Sequence, residues 1–167
     1  NSYPKKKRLC IIPKPQRSGL TIPTQPFTVT KNSRLIIIQS FVMMSDRFIY
    51  RNVNPDNESI NDCVTRAIST ATGLKYHAVE NLLVLSANKF GCDALVMTCY
   101  QHLLETVLCY RGHDCRNNET VGEIADKHRN HKLLIRIDGH LTCSIYGYIE
   151  DLWDCSEKIV DRYWIVA

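Results

Sequence analysis

Lys132 to Asp151 reads KLLIRIDGHLTCSIYGYIED. Three short runs of β-favouring residues, Lys132 to Asp138, His140 to Tyr146 and Tyr148 to Asp151, are separated by Gly139 and Gly147. Glycine between such runs marks turns, so the stretch predicts successive antiparallel strands. A fourth strand is read at Arg162 to Val166. Upstream, the period changes. Val64, Ala67, Ile68 and Ala71 share one helical face behind Asp62, a residue type suited to an N-cap, and Gly73 stops the run. Val79, Leu82, Leu83 and Ser86 predict a second helix over Tyr76 to Asn88, broken by Gly91. A third is read from about Leu95 to Cys109, ending at Gly112. Thr120-Val121-Gly122-Glu123 has the capping-box pattern and opens a fourth, to about His128. Phe48 to Tyr50 reads as a short strand, and the Asn-rich stretch Asn52 to Ser59 as a loop. Helices first and antiparallel strands second describe an α+β domain.

The 167 residues are 44% hydrophobic and 23% charged, enough for one packed domain with or without a tail. That balance excludes wholly disordered, collagen-like and coiled-coil chains. Charge is unevenly spread. Residues 1–42 hold eight basic residues and no acidic one, while the rest holds 13 basic and 17 acidic. Five of the six prolines also lie in the first part. The expected organisation is a basic, Pro-rich extension at 1–42, flexible or outside the native domain, followed by an acidic domain at 43–167 that begins at Met43-Met44. The run Pro4-Lys5-Lys6-Lys7-Arg8 suits a solvated tail, an import signal or contact with a polyanion. The acidic domain itself is not expected to bind nucleic acid. No apolar run approaches the ~20 residues that cross a bilayer. The longest candidate, Leu35 to Met44, contains Gln39 and Ser40. Asn1 to Arg8 leads into Pro-rich sequence, so no secretory signal is read there. A cytoplasmic setting and mostly reduced cysteines are the expectation.

Candidate chemistry starts at Cys63, at a predicted helix start directly after Asp62. The unbonded amides and dipole of a helix N-terminus favour a thiolate, which is the nucleophilic form of cysteine. A base is needed next, and it needs an orienting partner on its other ring nitrogen. His140 opens a predicted strand, and Asp151 ends the next one. The two are equidistant from the midpoint between Ile145 and Tyr146, which makes them approximate cross-strand neighbours in a hairpin.

Helix-start Cys, strand-start His, then an acid followed two residues later by Trp resembles the papain-like cysteine peptidases. Asp151-Leu152-Trp153 stands where papain-type enzymes carry Asn-Ser-Trp. Asp62-Cys63 is similar to the bacteriocin-processing peptidases of ABC transporters. The stretches Asn61 to Ile68, Gly139 to Thr142 and Asp151 to Ser156 resemble small uncharacterised proteins of phages and mobile elements. The resemblance covers about Phe48 to Trp164. It implies a papain-like α+β fold, with N-terminal helices, Cys at a helix start and a small antiparallel sheet. It further implies Cys63 as nucleophile, His140 as general base then acid, and Asp151 as its orienter, with Trp153 shielding the pair from water. Asp154 competes for the orienting role, or caps the turn at Ser156. The family's second oxyanion donor is an amide side chain, usually Gln, six residues before the Cys. Asn57 holds that position here, one methylene shorter, and Asn61 is an alternative. If neither reaches, the rate falls by about 10²–10³. The implied activity is thiol-dependent hydrolysis of an amide in a protein or peptide, through a thioester and without a cofactor, with a host or phage protein as the target.

Two rival readings stay open. The fold could serve as a binding module or inhibitor without turnover. The eight cysteines and six histidines also invite a metal. Zinc sites show close pairs such as Cys-x₂₋₄-Cys, whereas the gaps here are Cys92-x₆-Cys99 and Cys109-x₅-Cys115. Cys109, His113 and Cys115 form the nearest approach to a ligand set, and a Cys109–Cys115 disulfide suits the same spacing. No complete four-ligand pattern appears, so no metal site is assigned.

Overall fold

A computed structural model describes residues 47–58 and 60–166. The readings for residues 1–42, including the basic run Pro4 to Arg8, lie outside the described residues. The domain is α+β. Strand β1 (Phe48–Tyr50) leads through a loop to helices α1 (Cys63–Thr72), α2 (Tyr76–Phe90) and α3 (Met97–His102). α3 runs on into a π-helical turn, Leu103–Val107. Then come β2 (Gly112–Asp114), α4 (Val121–Lys127) and strands β3 (Lys132–Ile137), β4 (His140–Ile145), β5 (Tyr148–Asp151) and β6 (Val160–Val166).

The sheet order is β1-β5-β4-β3-β6-β2. The expectation of a small antiparallel sheet is corrected here. Six strands pair, and β1 lies parallel to β5, Tyr50 beside Asp151. Strand β2 pairs with β6 and has no counterpart among the expected strands, because three residues including a glycine carry no periodicity. The anticipated third helix is also corrected. It starts at Met97, and its second half widens into the π turn. That turn sets Glu105 where it accepts hydrogen bonds from Trp164 Nε1 at 2.9 Å and from Arg162 Nε at 3.0 Å.

Both faces of the sheet are covered. Leu134, Leu141, Cys143, Trp164 and Val166 pack against α1 and α2, with Val64, Ile68, Val79 and Leu83 facing them. Leu133, Ile135, Ile137, Ile149 and Tyr163 pack against Val121, Ile124 and Ala125 of α4. This explains why β3 is a continuous apolar run rather than an alternating one. The capping box at Thr120 is formed: its side chain accepts from the Glu123 amide at 3.2 Å, and Glu123 Oε2 accepts from the Thr120 amide at 2.8 Å. The β4–β5 turn has positive φ at both Tyr146 (53°) and Gly147 (89°). Those signs match the type I′ hairpin, whose twist suits the flanking strands.

Among the described residues one disulfide, Cys92–Cys99, ties the α2–α3 connection, while Cys63, Cys109, Cys115, Cys143 and Cys155 are free. Its cysteines sit at the end of one helix and within the next, where helix packing brings their backbones together. Cys109 and Cys115, the pair considered from spacing, are both free. Among the described residues, no helix is long and apolar enough to cross a membrane, and no group of three or more His, Cys, Asp and Glu is arranged to hold a metal ion.

Truncating Leu134, fully buried between sheet and helices, is expected to cost about 2–5 kcal/mol as Leu134→Ala, against about 1 kcal/mol for Thr120→Ala. Equilibrium denaturation of the two variants checks both values and their order.

Candidate active site

Cys63 is the first residue of α1, half-buried and packed against the cluster beneath the helices. Asp62 stands at the N-cap, but the anticipated capping by its side chain is corrected: it makes no hydrogen bond to the helix amides. Its backbone carbonyl accepts from the Arg66 amide at 3.0 Å, while its carboxylate turns inward to ion-pair with Arg66. The Tyr76 hydroxyl donates to that carboxylate at 2.8 Å, and the Asn54 amide at 3.0 Å.

His140 opens β4 directly after the Asp138-Gly139 turn, paired across it with Ile137. Asp151 closes β5. Its backbone is held from the far side by the Arg51 amide, which donates to the Asp151 carbonyl at 2.9 Å. The observed β4–β5 register is Cys143 with Glu150, Ser144 with Ile149 and Ile145 with Tyr148. The turn is therefore at Tyr146-Gly147, one residue later than the hairpin midpoint read from the sequence. Asp151 is diagonal to His140 rather than opposite it. Diagonal neighbours on one face remain within reach of long side chains. His140 Nε2 lies 2.7 Å from Asp151 Oδ2, with both side chains less than a tenth exposed. The Asp151 Oδ1 accepts from the Leu152 amide at 2.7 Å.

The third member is Cys63, whose thiol stands near enough to the His140 ring and the Leu141 backbone for both to act on its titration. Burial alone would raise the Cys63 pKa. The proximity and charge of His140 outweigh that, with help from Leu141, and hold it below the ordinary thiol value. Burial would likewise lower His140, but Asp151 and Cys63 together lift it to about 9. For Asp151, burial acts upward, and the His140 contact, with Thr142 and the Leu152 amide, brings it below the usual carboxylate value. All three directions favour the charged forms, thiolate, imidazolium and carboxylate. The titration belongs to the coupled pair, not to either residue alone.

The supporting residues separate clearly. Trp153 is half-buried, its ring centroid 5.4 Å from that of His140 at 47°. Asp154 is exposed, and its Oδ1 accepts from the Ser156 amide at 3.0 Å, which makes it the cap of that turn. Asn57 is exposed, with its side-chain oxygen accepting from Asn52 at 3.3 Å, and Asn61 is exposed as well. Sequence reading missed Arg66, Asn54 and Tyr76. The spacing of Asp62 and Arg66, four apart on one helix, was the available signal for the first. Nothing local pointed to the other two. Cys115, once weighed as a ligand, donates to Glu119 Oε2 at 3.3 Å.

Asp151→Asn is expected to keep the hairpin while removing the charge that raises His140. The imidazole midpoint then falls from about 9 toward the ordinary ~6.5, and an NMR titration of the ring measures it. Comparison of the chain with protein-family models, curated proteins and solved structures finds no match.

Proposed function

We propose that the chain is a thiol-dependent hydrolase of papain-like type, a peptidase, isopeptidase or amidase acting on a protein or peptide. The observation that carries this is the buried 2.7 Å bond from His140 Nε2 to Asp151 Oδ2, beside a Cys63 thiol whose pKa the same ring lowers. In this mechanism the Cys63 thiolate attacks the carbonyl carbon, and the bond to the leaving amine breaks as His140 gives it a proton. The acyl group stays on sulfur as a thioester. His140, now neutral, takes a proton from water, whose oxygen attacks the thioester and restores the thiolate. Asp151 holds the ring in the orientation that serves both steps. The Cys63 backbone amide, at the first turn of α1, is a donor for the oxyanion.

A second reading, a papain-like module that binds a host protein without turnover, is favoured by one observation. Asn57 and Asn61 are both exposed at the surface, and the Asn57 side chain is engaged with Asn52. An oxyanion site lacking an amide side chain loses about 10²–10³ in rate.

Treatment with an activated acyl ester separates the two. The catalytic reading predicts a hydroxylamine-labile acyl adduct on Cys63, found by mass spectrometry and lost in His140→Ala. Acylation confined to the exposed Cys109, with Cys63 untouched, favours the binding module. Hydrolysis of that adduct should slow on the acid side, where a protonated His140 can no longer take a proton from water, and mass spectrometry of the adduct against time at each pH checks this.

A further inference from the structure

A second buried charge group lies against the triad and has no part in the chemistry described so far. Asp62 and Arg66, one turn apart on α1, form an ion pair with side chains only 5% and 8% exposed. The Tyr76 hydroxyl and the Asn54 amide fix the Asp62 carboxylate from the other side. A second terminal nitrogen of Arg66, Nη2, lies 3.9 Å from Asp151 Oδ1, the carboxylate oxygen that His140 does not use. The guanidinium thus stands between two buried carboxylates. Its planar fork can face both at once, which a lysine ammonium on one stem cannot do. At this depth two carboxylates without a cation between them are strongly disfavoured, and Asp151 Oδ1 meets the guanidinium on one side and the Leu152 amide, at 2.7 Å, on the other.

Building on the triad reading, we propose that Arg66, anchored on Asp62, is a positioning residue that keeps the Asp151 carboxylate turned toward His140. The helix that presents Cys63 then also orients the acid that serves its base. One rigid element sets both ends of the triad. The other charged or titratable groups around Asp151 are Cys143 and Glu150, with Arg51 paired to Glu150, and Cys155 and Asp154 from the following loop. None of them is altered in the test.

The His140 ring is titrated by NMR in the full chain, in Arg66→Met and in the charge-balanced double variant Arg66→Met/Asp62→Asn. Losing a positive charge through space alone raises the proton affinity of every neighbour. A purely electrostatic Arg66 would therefore raise the His140 midpoint in the single variant and leave it unchanged in the double. A positioning Arg66 lowers it in both, since Asp151 no longer faces the ring, and a tenfold loss of proton affinity is expected. The double variant leaves no unpaired buried charge from this pair, and thermal melting reports whether it folds. If the single variant fails to fold, the double decides. A lowered midpoint in the double variant supports the proposal, and an unchanged or raised one overturns it. The triad reading has its own control in the same data: a wild-type His140 that titrates near the ordinary ~6.5 contradicts that reading, and the proposal with it.

Discussion

The hydrogen bond between His140 Nε2 and Asp151 Oδ2, 2.7 Å long and shut away from water, is what the arrangement of the site depends on. It joins the first residue of one strand to the last residue of the next, so it exists only if the hairpin forms in one register. A slip by one residue would put Asp151 on the opposite face of the sheet. The positive φ values of Tyr146 and Gly147 define the tight turn that sets this register. Burial of Leu141 and Cys143 of β4 against α1 and α2, and of Ile149 of β5 against α4, holds it there. Fold stability and site geometry are thus the same constraint seen from two sides.

The charges follow from that geometry. Burial opposes ionisation of all three triad residues, yet their mutual contacts reverse it in each. Alternation of sign makes this workable: thiolate, imidazolium, carboxylate, guanidinium and carboxylate run in sequence from Cys63 to Asp62. Breaking such a buried series by removing one member costs about 3–5 kcal/mol, far more than an exposed pair. The half-buried Trp153 ring lies beside His140.

Much of this was legible in the sequence. The helix at Cys63, the capping box at Thr120 and the strands separated by Gly139 and Gly147 are local patterns, and each formed within two or three residues of its expected bounds. The closeness of His140 and Asp151 was also readable, because a hairpin converts sequence distance into spatial proximity, whereas Cys63 was tied to them only through the resemblance. What was not legible is non-local. The parallel pairing of β1 with β5 depends on where a distant strand finds an open edge. The π turn depends on Glu105 meeting Trp164 and Arg162, more than fifty residues away. The Cys92–Cys99 link depends on how α2 packs on α3. Asp62 was misread for a related reason. Its residue type suits an N-cap, but Arg66, Tyr76 and Asn54 offered the carboxylate three buried partners, and these outcompeted the helix amides.

The central claim is that Cys63 and His140 form one activated pair. Alkylation by iodoacetamide across pH, read at each cysteine by mass spectrometry and compared between wild type and His140→Ala, tests it most directly. The account predicts that Cys63 reacts at a lower pH in wild type than in His140→Ala, because the His140 ring holds its thiol below the ordinary value. A Cys63 that is inert, or whose pH dependence is the same in both proteins, would contradict it.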